Sequence, residues 1–339
     1  MPISVLSAMR DCSREGITVK GGRFLEAVAE ADTIVFDKTG TLTHSSPRVA
    51  QVITFGGRDE DKMLRLAACL EEHYPHSTAN AVVAAAADKG LEHEEFHSKV
   101  EYVVAHGISS MVENERVLIG SHHFIIEDEG CTPPDERIFR HLPKEYSHLY
   151  LAIGGEVAAV ICIEDPLREE AADVVKKLHE YGISRVVMMT GDNERTAKAV
   201  AEKVGVDEYH AEVLPEDKAA FIRAEHEAGR KVVMIGDGVN DSPALSEADA
   251  GIAISTGAAI AREIADITVS ADDLYALVEL KRLSNALMKR IGWNYRTILG
   301  FNGGLIGLGV LGVLPPATSA LLHNASTLAI GLCSMTELK

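Results

Sequence analysis

Four short strings in this chain bring a nucleophile, hydroxyls, an ammonium and carboxylates together in a fixed order. The first is Asp37-Lys38-Thr39-Gly40-Thr41-Leu42-Thr43. An aspartate followed by a turn of small and hydroxyl residues can attack a phosphoryl group covalently while backbone N–H groups hold its oxygens. The second, Thr190-Gly191-Asp192, offers a hydroxyl and an amide to the same phosphoryl group. Lys218, in Leu214-Pro215-Glu216-Asp217-Lys218, can neutralise its charge. The last, Gly236-Asp237-Gly238-Val239-Asn240-Asp241, supplies carboxylates for a hard cation, which takes oxygen ligands and bridges phosphate. Each string alone is an ordinary turn, because Asp and Gly are turn formers. Four in this order at strand ends point to one phosphoryl-transfer site.

The elements that must position these strings read as α/β. Apolar runs at Thr33–Phe36, Arg185–Met189, Lys231–Ile235 and Gly251–Ile254 have the composition of buried parallel strands. Helical patterns lie between them at Leu167–Tyr181, Glu194–Val204 and Glu216–Ala228. In open α/β sheets the ligand crevice lies beyond the carboxyl ends of the strands, so the loops converge. The stretch from Ser46 to Gly155 breaks this rhythm and holds nine of the fourteen histidines, as an inserted domain would.

Composition narrows the partners. With 33 Lys+Arg against 51 Asp+Glu, the formal charge of −18 argues against nucleic acid, whose phosphates need a cationic surface. Five scattered cysteines without a Cys-x-x-Cys pair suit a reducing compartment. From Thr297 to Met335 no Asp, Glu, Lys or Arg occurs, and Pro315-Pro316 divides the stretch. Two membrane spans at 297–314 and 317–335 are expected, since a span needs ~20 residues. Lys281, Arg282, Lys289, Arg290 and Arg296 precede them and Lys339 follows, placing both ends in the cytoplasm by the positive-inside rule. Asn302, His323, Asn324 and Ser326, with Thr327, Cys333 and Ser334, are polar groups inside these spans. Such groups either ligate a cation, for which imidazole suits Zn, Cu, Fe and Ni, or bond helix to helix.

The strings D-K-T-G-T-L-T, T-G-D and M-I-G-D-G-V-N-D-S-P-A-L resemble the haloacid-dehalogenase superfamily, and within it the P-type ATPase branch. The resemblance implies an α/β fold: a HAD-like doubly wound parallel sheet with an inserted α+β nucleotide-binding domain and a C-terminal two-helix transmembrane hairpin. It implies Asp37 as the residue phosphorylated by Mg2+ and ATP, with the ion held by Asp37, the Thr39 carbonyl and Asp237, and with Asn240 and Asp241 in support. Soluble phosphatases of this superfamily place a general acid/base aspartate two residues after the nucleophile; this chain has Thr39 there, which suits a long-lived phosphoenzyme. The implied phosphorylation domain is 23–45 with 156–280, the nucleotide domain 46–155, and residues 281–296 a basic juxtamembrane helix.

Only 153 positions separate Asp37 from Thr190, and two spans follow, as in the heavy-metal-transporting pumps. Those pumps read ATP with a Glu, a His five positions later, and a Gly-x-Gly. Glu71 and His76 fit that pair, Gly107 opens Gly107-Ile108-Ser109, and Gly120 matches a further glycine. Here Ser77 replaces the usual proline and Ser109 the second glycine. The family also places metal ligands in its last two spans. A complete pump adds six earlier spans and an actuator domain, so residues 1–22 are expected to be the cytoplasmic end of a preceding span, and a separately encoded N-terminal half is an expected partner. The expected setting is a multi-pass plasma or inner membrane with cytoplasmic catalytic domains. Two other readings stay open: a membrane-anchored phosphatase of the same superfamily, and a catalytically silent ATP- or metal-binding module.

Overall fold

The computed structural model describes residues 2–44, 46–73, 77–91, 101–103, 107–143, 146–237, 241–255, 263–270 and 273–338. Helix α1 (Pro2–Arg14) leads to β1 (Ile17–Val19), α2 (Gly22–Glu30) and β2 (Thr33–Asp37). Six strands follow, β3 (Arg48–Thr54), β4 (Glu101–Val103), β5 (Gly107–Val112), β6 (Glu115–Gly120), β7 (Ser147–Ile153) and β8 (Glu156–Glu164). Helices α3 (Glu60–Glu71), α4 (Ser77–Asp88) and α5 (Glu136–Arg140) lie among them. The chain then alternates α6 (Ala171–Glu180), β9 (Arg185–Met189), α7 (Glu194–Val204), β10 (Glu208–His210), α8 (Pro215–Glu227), β11 (Val232–Gly236), α9 (Ser242–Glu247), β12 (Ala250–Ser255) and β13 (Ile267–Ser270). It ends in α10 (Tyr275–Val310) and α11 (Pro316–Cys333).

Seven strands form one sheet in the order β1-β13-β12-β11-β2-β9-β10, parallel except for β1. Its central strands are apolar on both faces because both are covered. Ile34, Phe36, Val186, Met188, Val233 and Ile235 pack toward α2, α6, α7 and α10, and the alternate residues Val35, Val187, Met189, Val232 and Met234 pack toward α8 and α9. The expected doubly wound sheet is therefore present, with all four sequence-predicted strands in place. Asn193 caps α7 by accepting from the Thr196 N–H at 3.0 Å, and Gly205 ends it in the left-handed region at φ 80°.

The second sheet is antiparallel, in the order β3-β8-β7-β6-β5-β4. It includes β8, so the insert reaches past the expected boundary at 155; the residues of β8 are buried by pairing with β3 and β7. The crossing between the two sheets is a two-stranded neck. Thr43 and Leu167 bridge antiparallel, the His44 N–H donates to the Pro166 carbonyl at 2.9 Å, and the Arg168 N–H to the Leu42 carbonyl at 3.0 Å.

Helix α10 is continuous through the expected juxtamembrane segment, and its 36 residues extend roughly 54 Å at 1.5 Å per residue. Its first third packs on the parallel sheet through Leu277, Leu280, Leu283 and Leu287. Buried Lys281 donates to the carbonyls of Val28 (2.8 Å), Ala29 (2.9 Å) and Ala31 (3.1 Å), capping the C-terminal end of α2. Beyond Thr297 the helix projects from the domain and α11 returns beside it. The helical hairpin is thus as expected, but its expected transmembrane character rested on counting charges. By mean hydropathy no helix among the described residues is long and apolar enough to cross a membrane. Polar Asn302, His323 and Asn324 lie within the hairpin, and α10 ends at Val310, so any span-length stretch of its apolar end takes in Arg296.

Candidate functional site

Parallel pairing fixes the site. In β2, Asp37 lies opposite Met189 of β9, and Phe36 opposite Ile235 of β11. Asp37, Thr190 and Asp237 consequently leave three adjacent strands at one edge. Asp37 is buried, and the Lys218 Nζ donates to its Oδ1 at 2.6 Å and to Asp241 Oδ1 at 2.6 Å. Gly236 makes room for this: a Cβ there would stand 2.4 Å from Asp241 Oδ2. Burial and then the Asp241 carboxylate push the Asp37 carboxyl well above the usual range, and Lys218 opposes them. Burial works against the Lys218 ammonium, but the two carboxylates outweigh it.

The turn after Asp37 needs Gly40, which sits at φ 74°. Its N–H donates to Thr43 Oγ1 at 3.0 Å, and Thr43 Oγ1 donates to the Lys38 carbonyl at 3.2 Å. The Thr41 hydroxyl is fully buried here with no hydrogen-bond partner among the described residues, an orphan polar atom four residues after Asp37. The Lys38 ammonium is turned aside to Asp192 at 2.6 Å and Asp165 at 3.1 Å. Thr190 Oγ1 donates to Asp192 Oδ2 at 3.1 Å and accepts from the Asp192 N–H at 3.1 Å, while Gly191 is exposed beside them.

Three contributors escaped the sequence reading. Asp165 and Arg168 flank a proline where the α/β rhythm resumes, a signal that was legible in Asp165-Pro166-Leu167-Arg168. Buried Arg168 donates to the Thr43 carbonyl at 3.3 Å. Ser147 has no such signal, yet its hydroxyl donates from β7 to Asp192 Oδ1 at 2.7 Å, joining the second sheet to the Thr-Gly-Asp loop.

The carboxylates of Asp37, Asp237 and Asp241 act on one another with one ammonium among them. That hard, oxygen-rich, electron-rich set fits Mg2+, which takes one or two carboxylates plus substrate phosphate rather than an all-protein cage. No group of three His, Cys, Asp or Glu among the described residues is arranged to hold a metal ion unaided. Asn240 lies outside the described residues, as does His76. Glu71 is buried at the C-terminal end of α3. Gly107 and Gly120 face each other across β5 and β6. A Cβ on Gly107 would stand 2.4 Å from the Ile119 carbonyl oxygen and 2.6 Å from the Phe124 ring, so packing alone demands that glycine. In the hairpin, His323 Nδ1 and Asn302 Oδ1 are hydrogen-bonded at 2.8 Å; Ser326 and Thr327 donate to the His323 carbonyl at 2.8 and 3.0 Å. Asn324 is exposed.

Residues 31–249 match the model of the haloacid dehalogenase-like hydrolases. The chain is 39% identical over 318 residues to a probable copper-exporting P-type ATPase V of Mycobacterium tuberculosis, covering 93% of this chain and 41% of that protein. It is similar in structure to a zinc-transporting PIB-type ATPase in its E2·Pi state, with TM-score 0.71, 30% identity, and coverage of 100% of this chain and 55% of the other. It is also similar to the catalytic domain of the CPx-ATPase CopB-B, studied for conformational change upon nucleotide binding, with TM-score 0.64, 28% identity, and coverage of 80% of this chain and 97% of that one. The chain spans less than half the length of the curated relatives it matches.

Proposed function

The chain belongs to the haloacid dehalogenase-like hydrolases, its curated relatives are heavy-metal-exporting P-type ATPases, and from that premise we propose that it is the ATP-driven, phosphorylated part of a heavy-metal pump. The observation that carries this reading is the buried Asp37 at the edge of the parallel sheet, gripped by the Lys218 it shares with Asp241.

An Asp37 carboxylate oxygen attacks the γ-phosphorus of ATP in line; the new O–P bond forms as the bond to the β-phosphate bridge breaks, and ADP leaves. Lys218 favours the ionised form of Asp37 against burial and the Asp241 carboxylate, which together still hold the carboxyl well above the usual range, and it is the ionised form that attacks. The Gly191 N–H, and the Thr190 hydroxyl on release from Asp192, are donors for the phosphoryl oxygens. Mg2+, when bound, would be held by Asp37, Asp237 and the Thr39 carbonyl and would neutralise phosphate charge. Asp241, and Asn240 beside it, support that arrangement. Residues 46–155, extended to the end of β8, form the nucleotide domain, with Glu71, Gly107, Gly120 and His76 as its candidate contacts.

The hairpin is proposed to seat in the bilayer and to carry part of the path of the transported cation, with Asn302, His323, Asn324 and Ser326 as its candidate ligands. No residue of α11 is buried, and Leu299, Ile306, Leu321 and Leu328 stand bare on the hairpin. Of the polar groups that lower its hydropathy, His323 and Asn302 bond to one another across the hairpin and Ser326 bonds to the His323 carbonyl of its own helix, two ways in which a helix pair in lipid satisfies such groups. Transport belongs to the complete pump, with its actuator domain and further spans, whether in the same protein or in a separate N-terminal half.

The test is incubation of the detergent-solubilised chain with Mg2+ and γ-labelled ATP, an acid quench, and hydroxylamine treatment. An acid-stable, hydroxylamine-labile label is expected. Steady turnover of a small phosphomonoester without label would favour the phosphatase, and ATP binding without label the silent module.

A further inference from the structure

We propose that the cleft between α10 and the C-terminal tail, lined by Lys289, Arg290 and Trp293, binds the phosphate of an anionic phospholipid headgroup at the edge of the bilayer. The inference rests on the bilayer seat proposed for the hairpin. The cleft measures about 760 Å³, is open to solvent, and is lined by Thr336, Glu337 and Leu338 of the tail.

Its position is the first argument. The bare apolar surface of the hairpin begins at Leu299, less than two helical turns beyond Trp293. Trp293 is 62% exposed and Tyr295 54%, and α1 contributes bare Leu6 at the same end of the hairpin, where Ser4 meets Asn294. Amphipathic aromatics of this kind sit at the headgroup level.

Charge is the second. In a chain of net charge −18, no Asp or Glu occurs between Glu279 and Glu337, while Lys289, Arg290 and Arg296 lie close together. Lys289, Trp293 and Arg296 recur at i, i+4 and i+7, so one helix face carries two cations around an indole. The Arg290 guanidinium is set at the cleft by the carbonyls of Thr336 (2.6 Å) and Glu337 (2.7 Å). The one carboxylate in the lining, that of Glu337, is taken by Arg14. A zwitterionic headgroup brings the same phosphate with an ammonium that these cations repel; an anionic headgroup does not. Each basic side chain near an anionic leaflet strengthens binding by about a factor of five.

Trp293 is the only tryptophan in the chain, so its fluorescence reads this place alone. The chain would be reconstituted in phosphatidylcholine nanodiscs doped with either brominated phosphatidylglycerol or brominated phosphatidylcholine. The expected result is at least about a fivefold preference for quenching by the anionic lipid, falling toward one in a Lys289→Gln/Arg296→Gln variant whose emission stays blue-shifted. Equal quenching by both lipids in the native chain, with blue-shifted emission, overturns the headgroup site and leaves the bilayer seat standing. Water-like emission with no quenching in either disc overturns both. Inorganic phosphate added to undoped discs should leave the emission unchanged; a response matching that to phosphatidylglycerol overturns the lipid assignment in favour of a free phosphate site.

Discussion

Lys218 is the residue on which the site's electrostatics turn, because one buried ammonium holds two buried carboxylates at 2.6 Å each. Removing one partner of such a group leaves uncompensated buried charge, at a cost of roughly 3–5 kcal/mol. Lys218→Met should therefore lower stability by that order near neutral pH, read from denaturant midpoints. The penalty should shrink on acidification: Asp37 and Asp241 already bind protons more tightly folded than unfolded, loss of the ammonium raises them further, and the variant therefore loses more stability than the native chain as pH rises above the usual carboxylate range. A penalty independent of pH would show that the carboxylates do not repel each other as their geometry implies. Asp37→Asn, by contrast, is expected to abolish the acid-stable label while ATP affinity, measured by calorimetry, stays within about twofold of the native chain, since RT ln 2 is well under 1 kcal/mol. The convergence of Asp37, Thr190, Lys218 and Asp241 was legible from the sequence because carboxylate, hydroxyl and ammonium lie in loops beyond strand ends or at the helix start that follows one. The aim of Lys38 was not legible: adjacency to Asp37 says nothing about the Asp192 and Asp165 that take its charge.

The strands of the parallel sheet were readable at the level of elements because both faces are buried, making each an unbroken apolar run, whereas β8 was assigned to the wrong side of a boundary because it is equally apolar. Periodicity reports burial and not which sheet does the burying. The caps between elements were invisible for a related reason: Lys281 meets the end of α2 across more than two hundred and fifty positions. Burial pulls this lysine down to about 8, against Asp32. Its folded value then lies below the ordinary ~10.4 of the unfolded chain. Between those values the unfolded chain binds more protons, so stability should rise with pH across that window. Denaturant midpoints for the native chain and Lys281→Met between pH 8 and 10 check this; the rise should be present in the first and absent in the second. Gly107→Ala tests the other sheet. With its Cβ pressed on the Ile119 carbonyl and Phe124, about 1–3 kcal/mol of stability should be lost whether or not ATP is present, as thermal melts would read. A variant of native stability that only weakens ATP would make Gly107 a ligand contact rather than a packing position.

On the scale of the whole molecule, the two sheets meet through a neck of two chain segments and through hydrogen bonds from Ser147 and Thr196 that no spacing rule reveals. The neck fixes where the second sheet leaves the first, through Thr43 with Leu167 and the Arg168 that donates to the Thr43 carbonyl. A two-segment neck constrains position far better than it constrains rotation, so the orientation of the insert depends on contacts away from it. The Ser147 hydroxyl on Asp192 is such a contact, and Thr196 Oγ1 on the Tyr146 carbonyl at 3.2 Å stands beside it. Asp192 already accepts from Lys38 and Thr190, and against its burial these partners hold its carboxyl below the usual range. The insert is therefore oriented by the same carboxylate that shapes the Thr-Gly-Asp loop. Ser147→Ala removes that tie without touching either the nucleotide candidates or Asp37. A hydrogen bond to a charged group contributes about 1.5–3 kcal/mol, of which reorientation by the remaining Thr196 contact recovers part. Phosphorylation of Asp37 should slow by about tenfold in rapid-quench measurements at saturating ATP, with ATP affinity held, because the γ-phosphate is delivered from the insert to a loop that no longer fixes it. An unchanged rate would mean that the neck and the Thr196 contact set the approach of the two sheets without Ser147.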